Sequence, residues 1–162
     1  MAKKLANNLV ENEGAVKFNS LKDAGIIYTA FDESATFNKG DIIKFLKTEN
    51  PEFYKIPIKN KNGEETDKYA VCTIVQVNGE EKRFYPTWLY KSCKNEDTGE
   101  ITRPHGTVYS KLKKLGDLDK ILTELFKVGG SIKLIDLAVV KNYKYSNNSQ
   151  GTGVVRSFDF VE

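Results

Sequence analysis

The chain has 162 residues, of which 40% are hydrophobic and 29% are charged, and its net charge is +3. This length is typical of one domain that buries about 70% of its unfolded surface, and the composition is too apolar for a disordered chain. A net charge of +3 is far below the excess expected of a dedicated duplex-DNA-binding protein. No segment approaches the ~20 apolar residues needed to cross a bilayer, so we expect no membrane insertion.

The cysteines and the N terminus indicate a reducing compartment. Cys72 lies in an apolar run and Cys93 in a polar one, and neither has the spacing of a metal site. The first residues carry lysines without a long apolar segment behind them, which is not the pattern of a secretion signal. We therefore predict a cytoplasmic protein, with one disulfide as an open alternative. The small size and the many lysines and asparagines suggest a phage or mobile element, which would make this the host cytoplasm.

Residues 1–17 contain only scattered apolar positions, which predicts a flexible N-terminal arm. A frayed helix through Leu5, Leu9 and Val10 is the alternative. Residues 18–162 contain no internal repeat and no second composition, so they are predicted to form a single domain.

The first strands are predicted from β-branched and aromatic residues. Residues 26–31 and 42–46 have this composition. Residues 50–68 indicate a loop or a loose hairpin, because Pro51 and Pro57 cannot donate ladder hydrogen bonds.

A β-hairpin is the clearest local prediction. Residues 69–77 and 80–90 are both strand-like, and Asn78 and Gly79 stand between them. A type I′ turn needs positive φ at both central residues, which Asn and Gly tolerate best. The sequence therefore predicts that these two strands pair.

Residues 117–128 are predicted to form a helix. Asp117 is a candidate N-cap, and Gly129 and Gly130 provide a left-handed stop. The apolar residues recur with the spacing of one helical face. They are Leu118, Ile121, Leu122, Leu125 and Phe126.

The C-terminal part is predicted to form two strands and a loop. Residues 131–145 are nearly all apolar in their middle, which is typical of a strand covered on both faces. Residues 146–153 have the composition of a loop, and residues 154–162 alternate as a final strand.

This order of elements resembles the OB-fold over residues 26–162, in topology and spacing. The resemblance implies a β-rich, five-stranded Greek-key barrel with one helix between its third and fourth strands. It also implies a ligand groove across residues 69–77 and 82–90, flanked by the loops at 48–68 and 146–153. Many OB-folds bind single-stranded DNA by stacking bases on aromatic side chains, while basic side chains contact the phosphates.

Aromatic and basic residues stand together at two places in this arrangement. We expect Phe84 to be buried, with Pro86 or Trp88 or both on the same face, so that Tyr85 points outward beside Arg83. Trp88 is therefore open between a core and a binding role. The predicted nucleic-acid-binding residues are Arg83, Tyr85, Trp88, Lys91, Lys141, Tyr143, Lys144 and Tyr145.

Catalytic motifs are not recognisable in the sequence. His105 is the single histidine and lies in a Pro-His-Gly loop without a nucleophile motif around it. The Gly151-Thr-Gly153 segment has neither the lysine nor the helix of a phosphate-binding loop. We predict a protein that is not an enzyme, with no cofactor and no metal. The partner is predicted to be single-stranded DNA or RNA, and the alternative is a phage structural or protein-interaction subunit.

Overall fold

The computed structural model describes residues 3–24, 37–59, 62–89, 93–94, 101–102, 108, 111, 115–144 and 150–161. The strand predicted at 26–31 lies outside these residues. In the described part, no helix is long and apolar enough to span a membrane.

Three α-helices and a short 3₁₀ turn are present in the described residues. Helix α1 spans Lys3–Glu13, α2 spans Leu21–Ala24 and α3 spans Leu115–Val128, while the 3₁₀ turn spans Pro86–Leu89. Strands contain more of the described residues than helices do, so the predicted β-rich class is confirmed. The strands are β1 (Val16–Phe18), β2 (Ile42–Lys44), β3 (Phe53–Lys59), β4 (Glu65–Val77), β5 (Glu80–Phe84), β6 (Cys93–Lys94), β7 (Ile101–Thr102), β8 (Ser131–Lys144) and β9 (Gln150–Val161).

The main sheet has seven antiparallel strands in the order β1-β3-β4-β2-β8-β9, and β5 pairs with β4 beside this path. β6 and β7 form a separate two-stranded sheet. Backbone pairing does not close the main sheet within the described residues. The predicted five-stranded barrel is therefore not confirmed, although its antiparallel, β-rich character is.

The predicted hairpin is formed by β4 and β5. Asn78 has φ of 54° and Gly79 has φ of 80°, so both central residues have the positive φ of a type I′ turn. The second strand is shorter than predicted, because β5 ends at Phe84 and Pro86 opens the 3₁₀ turn. Proline has no N–H with which to continue a ladder.

The segment predicted as a loop or loose hairpin contains a regular strand. β3 pairs with β4 from Phe53 opposite Thr73 to Lys59 opposite Glu65. Pro57 lies within β3 opposite Tyr69, and the register shifts directly after it. A bulge at this point accommodates a residue that cannot donate to the ladder.

Helix α3 confirms the apolar stripe. Its buried residues include Leu118, Leu122 and Phe126. The helix begins at Leu115, so Asp117 lies in the first turn and is not the predicted N-cap. Gly129 has φ of 66°, and the N–H of Gly130 bonds to the carbonyl of Leu125, which is the predicted left-handed stop.

Edge-to-face aromatic contacts connect α3 to the sheet. The ring of Phe126 lies 5.1 Å from Phe45 and 6.1 Å from Phe53, measured between centroids. The same core continues through Phe84, Trp88 and Phe158. The helix therefore packs on the same aromatic core that unites β3, β5 and β9.

Leu122→Ala is expected to lower the free energy of unfolding by about 2 kcal/mol or more, because Leu122 is fully buried and its removal leaves a cavity. Chemical denaturation measures this change. Thr123→Ala, at the exposed neighbouring position, is the control and should change stability by less than about 0.5 kcal/mol. A change well below about 1 kcal/mol at Leu122 would show that α3 is peripheral.

Residues 3–13, predicted as part of a flexible arm, form helix α1 instead. Leu9 is fully buried within the hydrophobic core. The helical alternative is therefore the one that the structure shows. Its physical basis is that Leu9 and the partly buried Ala6 pack against the core.

Candidate nucleic-acid interface

The eight predicted binding residues differ in how much of each the structure describes. Arg83, Tyr85 and Trp88 are described with their side chains. Lys141, Tyr143 and Lys144 lie on β8, where the structure describes the backbone alone. The remaining two, Lys91 and Tyr145, fall outside the described residues.

Tyr85 and Trp88 are both fully buried. The expectation that Tyr85 faces outward is therefore wrong. It assumed a strand through residue 90, whereas the chain leaves the strand after Phe84 and the N–H of Trp88 bonds to the carbonyl of Tyr85. The 3₁₀ turn places the two rings 5.3 Å apart inside the protein, where neither is accessible to a base. Of the two alternatives for Trp88, the core position is confirmed.

A buried arginine covers the indole of Trp88. Arg156 on β9 is 1% exposed, and its guanidinium carbon lies 4.1 Å from the Trp88 ring centroid. Such a contact is favourable because the cation faces the negative side of the ring system. It joins β9 to the turn after β5. Sequence reasoning missed it, because the alternation of the last strand does not reveal which ring lies opposite.

Arg83 is partly buried, with 21% of its side chain exposed. Its guanidinium forms an ion pair with the carboxylate of Glu13 at the end of α1. Burial lowers the pKa of Arg83, but hydrogen bonds to Tyr85 and Glu13 outweigh this and raise the pKa above its ordinary value. Arg83 is therefore a permanent cation, and the carboxylate of Glu13 balances its charge.

Three exposed or partly exposed lysines of the described residues lie over aromatic rings. The Lys55 ammonium is 4.7 Å from the centroid of the Tyr69 ring, the Lys111 ammonium is 5.0 Å from that of Phe160, and the Lys82 ammonium is 5.8 Å from that of Phe37. Lys55 is two positions from Pro57, which pairs with Tyr69, so this contact spans β3 and β4 diagonally. The Lys55 contact depends on strand register, and none of the three was predicted.

The longest hairpin is the ribbon formed by β8 and β9. β2 pairs with residues 131–133 of β8, and the backbone of Leu134 bonds to Gly40 and Asp41 just before β2. From residue 136 onward, the ladder partner of β8 in the described chain is β9. Near the far end, Tyr143 lies opposite Gly151 and Lys144 opposite Gln150. The register shifts between Val140 and Tyr143. The ribbon therefore brings three of the predicted binding residues together at one end.

A cleft lies between α1, β3 and β5, with a volume of about 220 Å³. Its walls carry Glu52, Glu81 and the Tyr54 hydroxyl, which donates a hydrogen bond to Glu52. Burial, together with Glu52, raises the pKa of Tyr54 above its ordinary value. The cleft is smaller than the about 300–1,000 Å³ of common ligand pockets. Its charged lining residues are the two carboxylates and Lys47.

Comparison with known proteins finds no matching family model, no matching curated protein and no matching solved structure. The described residues contain no group of three or more His, Cys, Asp or Glu side chains that could hold a metal ion.

Proposed function

We propose that the protein binds single-stranded nucleic acid, DNA or RNA, at the far end of the β8–β9 ribbon. The observation that carries the proposal is the extension of this ribbon beyond the strand that supports its base. β2 pairs with residues 131–133 alone, while the β8–β9 pairing continues to Lys144 and Gln150. Beyond its base, β8 has β9 as its ladder partner and lies close to β6 within the described residues, and we infer that nucleic acid approaches the end of this hairpin.

The composition of the ribbon end supports this proposal. The last four residues of β8 include Lys141, Tyr143 and Lys144, and Tyr145 follows directly in the sequence. Gly151, which has no side chain, stands opposite Tyr143 in the register. Aromatic rings stack on any base, and lysines follow the phosphates, so binding of this kind tolerates sequence.

An OB-like arrangement is part of the proposal. Side chains of β5 and β9 contact each other without ladder pairing between these strands in the described residues. The Phe84 and Phe158 rings are 5.8 Å apart, and Arg156 covers Trp88. In an OB-fold, a long hairpin between the last two strands flanks the ligand groove, and we propose that the β8–β9 ribbon has this role.

Fluorescence anisotropy tests the proposal with labelled oligo-dT, oligo-rU and duplex DNA of equal length, each at two salt concentrations. The single strands should bind more tightly than the duplex, because stacking needs unpaired base faces. The affinity should also fall linearly with salt on logarithmic axes. Equal affinity for single strands and duplex would indicate charge attraction alone. No binding at low salt would favour the structural or protein-interaction subunit.

Substitutions at the ribbon end separate stacking from charge. Tyr143→Ala should weaken oligo-dT binding by about 1–3 kcal/mol, whereas Tyr143→Phe keeps the ring and should bind like the wild type. Lys141→Ala should reduce the salt slope by about one contact. Lys120→Ala, at an exposed position on α3, removes the same charge elsewhere and is the matched control. Equal effects at Lys141 and Lys120 would remove the ribbon end from the proposed site.

A further inference from the structure

Helix α1 is attached to β5 near both of its ends by polar contacts. The Arg83 guanidinium pairs with the Glu13 carboxylate, and the backbone N–H of Leu5 donates to the Glu81 carboxylate at 3.5 Å. Leu9 is fully buried between these two points. The helix therefore covers the side of β5 that carries Arg83.

Glu13 occupies an unfavourable position within its own helix. It is the last residue of α1, and the last turn contains no basic residue. The carbonyl end of a helix carries partial negative charge, so a carboxylate there is repelled. Asn8 donates a hydrogen bond to Glu13 at 3.4 Å, but the only cation paired with Glu13 in the described chain is Arg83. The Glu13 carboxylate is thus held by the Arg83 guanidinium of β5 and by the Asn8 side chain within α1.

A carboxylate and a phosphate present similar oxygen atoms to a guanidinium. Both accept paired, charge-assisted hydrogen bonds from the planar arginine fork. Arg83 remains charged, part of it is open to solvent, and Tyr85 holds it from within the protein. These properties are those of an arginine that is positioned to bind an anion.

From this geometry we propose that Arg83 is a phosphate-binding site for the single-stranded nucleic acid, and that Glu13 occupies it in the free protein as an internal substitute for phosphate. This inference rests on the proposed function. Nucleic acid and Glu13 then compete for one guanidinium, and α1 lowers the affinity of the free protein. The competition requires movement of the Glu13 side chain alone, because α1 is anchored separately by Leu9.

Glu13→Gln tests the competition, and Glu11→Gln is its control. Both remove one negative charge from α1, but Glu11 is exposed and two residues away from the carboxylate that pairs with Arg83. Glu13→Gln should tighten oligo-dT binding by about fivefold and steepen the salt slope by about one contact. Glu11→Gln should change the affinity less than about twofold, because long-range attraction between exposed charges is screened by salt.

A double-mutant cycle isolates the pair. In an Arg83→Gln background, Glu13→Gln should no longer tighten binding, because the competed guanidinium is gone. Equal effects of Glu13→Gln and Glu11→Gln, or a gain that persists without Arg83, would overturn the inference. If the wild type binds oligo-dT and Glu13→Gln does not tighten it, this inference fails while the proposed function stands. If the wild type does not bind at low salt, both fail.

Discussion

Phe84→Ala is expected to lower the free energy of unfolding by about 3–5 kcal/mol, the usual cost of removing a fully buried aromatic ring. Phe84 is fully buried at the end of β5. Four rings surround it with centroids between 5.4 and 6.4 Å away, and all four pack edge-on. They belong to Phe37, Phe45, Trp88 and Phe158. Its loss would leave a cavity in the aromatic cluster that connects β5 to β9.

Urea denaturation followed by tryptophan fluorescence measures this change, because Trp88 is the single tryptophan and lies in the affected cluster. Ile42→Ala is the control. Ile42 is 48% exposed on β2, so its truncation should cost less than about 1 kcal/mol. Similar values for the two variants would mean that the aromatic cluster is not the centre of the core.

Tyr85→Ala is expected to cost about 3 kcal/mol of stability, because Tyr85 is fully buried against Trp88. Tyr85 also accepts a hydrogen bond from Arg83, so the truncation removes one partner of a partly buried cation. Tyr85→Phe keeps the ring and removes the hydroxyl alone. This variant should retain most of the stability lost in Tyr85→Ala.

Chemical denaturation and oligo-dT binding, measured on the same Tyr85 variants, distinguish a core residue from a stacking residue. If Tyr85 is a core residue, Tyr85→Ala lowers the free energy of unfolding, and Tyr85→Phe separates the contribution of the ring from that of the hydroxyl. If Tyr85 is a stacking residue, Tyr85→Ala weakens oligo-dT binding by about 1–3 kcal/mol and leaves the free energy of unfolding unchanged. The second outcome would contradict the burial of Tyr85 and return it to the binding surface.

The candidate site was predictable in part. The aromatic and basic residues Lys141, Tyr143 and Lys144 are adjacent in sequence, and adjacency on a strand is enough to bring them to one end of a hairpin. The pairing of Arg83 with Glu13 joins residues 70 positions apart. No local pattern signals such a contact, because it depends on where α1 packs. The sequence therefore identified Arg83 as a basic residue, but it did not reveal that Glu13 pairs with it.

Local signals in the sequence determined the β4–β5 hairpin and helix α3. Asn78 and Gly79 impose a tight turn, because few other residues adopt positive φ at low cost. The apolar spacing of α3 and its end at Gly129 likewise depend only on residues that are close together in the sequence. These features needed no knowledge of distant contacts. Local physics alone was sufficient for them.

Only the tertiary structure decided which aromatic residues are core. Alternation along a strand assigns faces only while the strand continues, and β5 stops at Phe84 because Pro86 cannot extend the ladder. Beyond that point the burial of Trp88 depends on Arg156, which arrives from the last strand of the sheet. Whether a ring is buried is a property of what packs against it. For Trp88, that partner is distant in the chain.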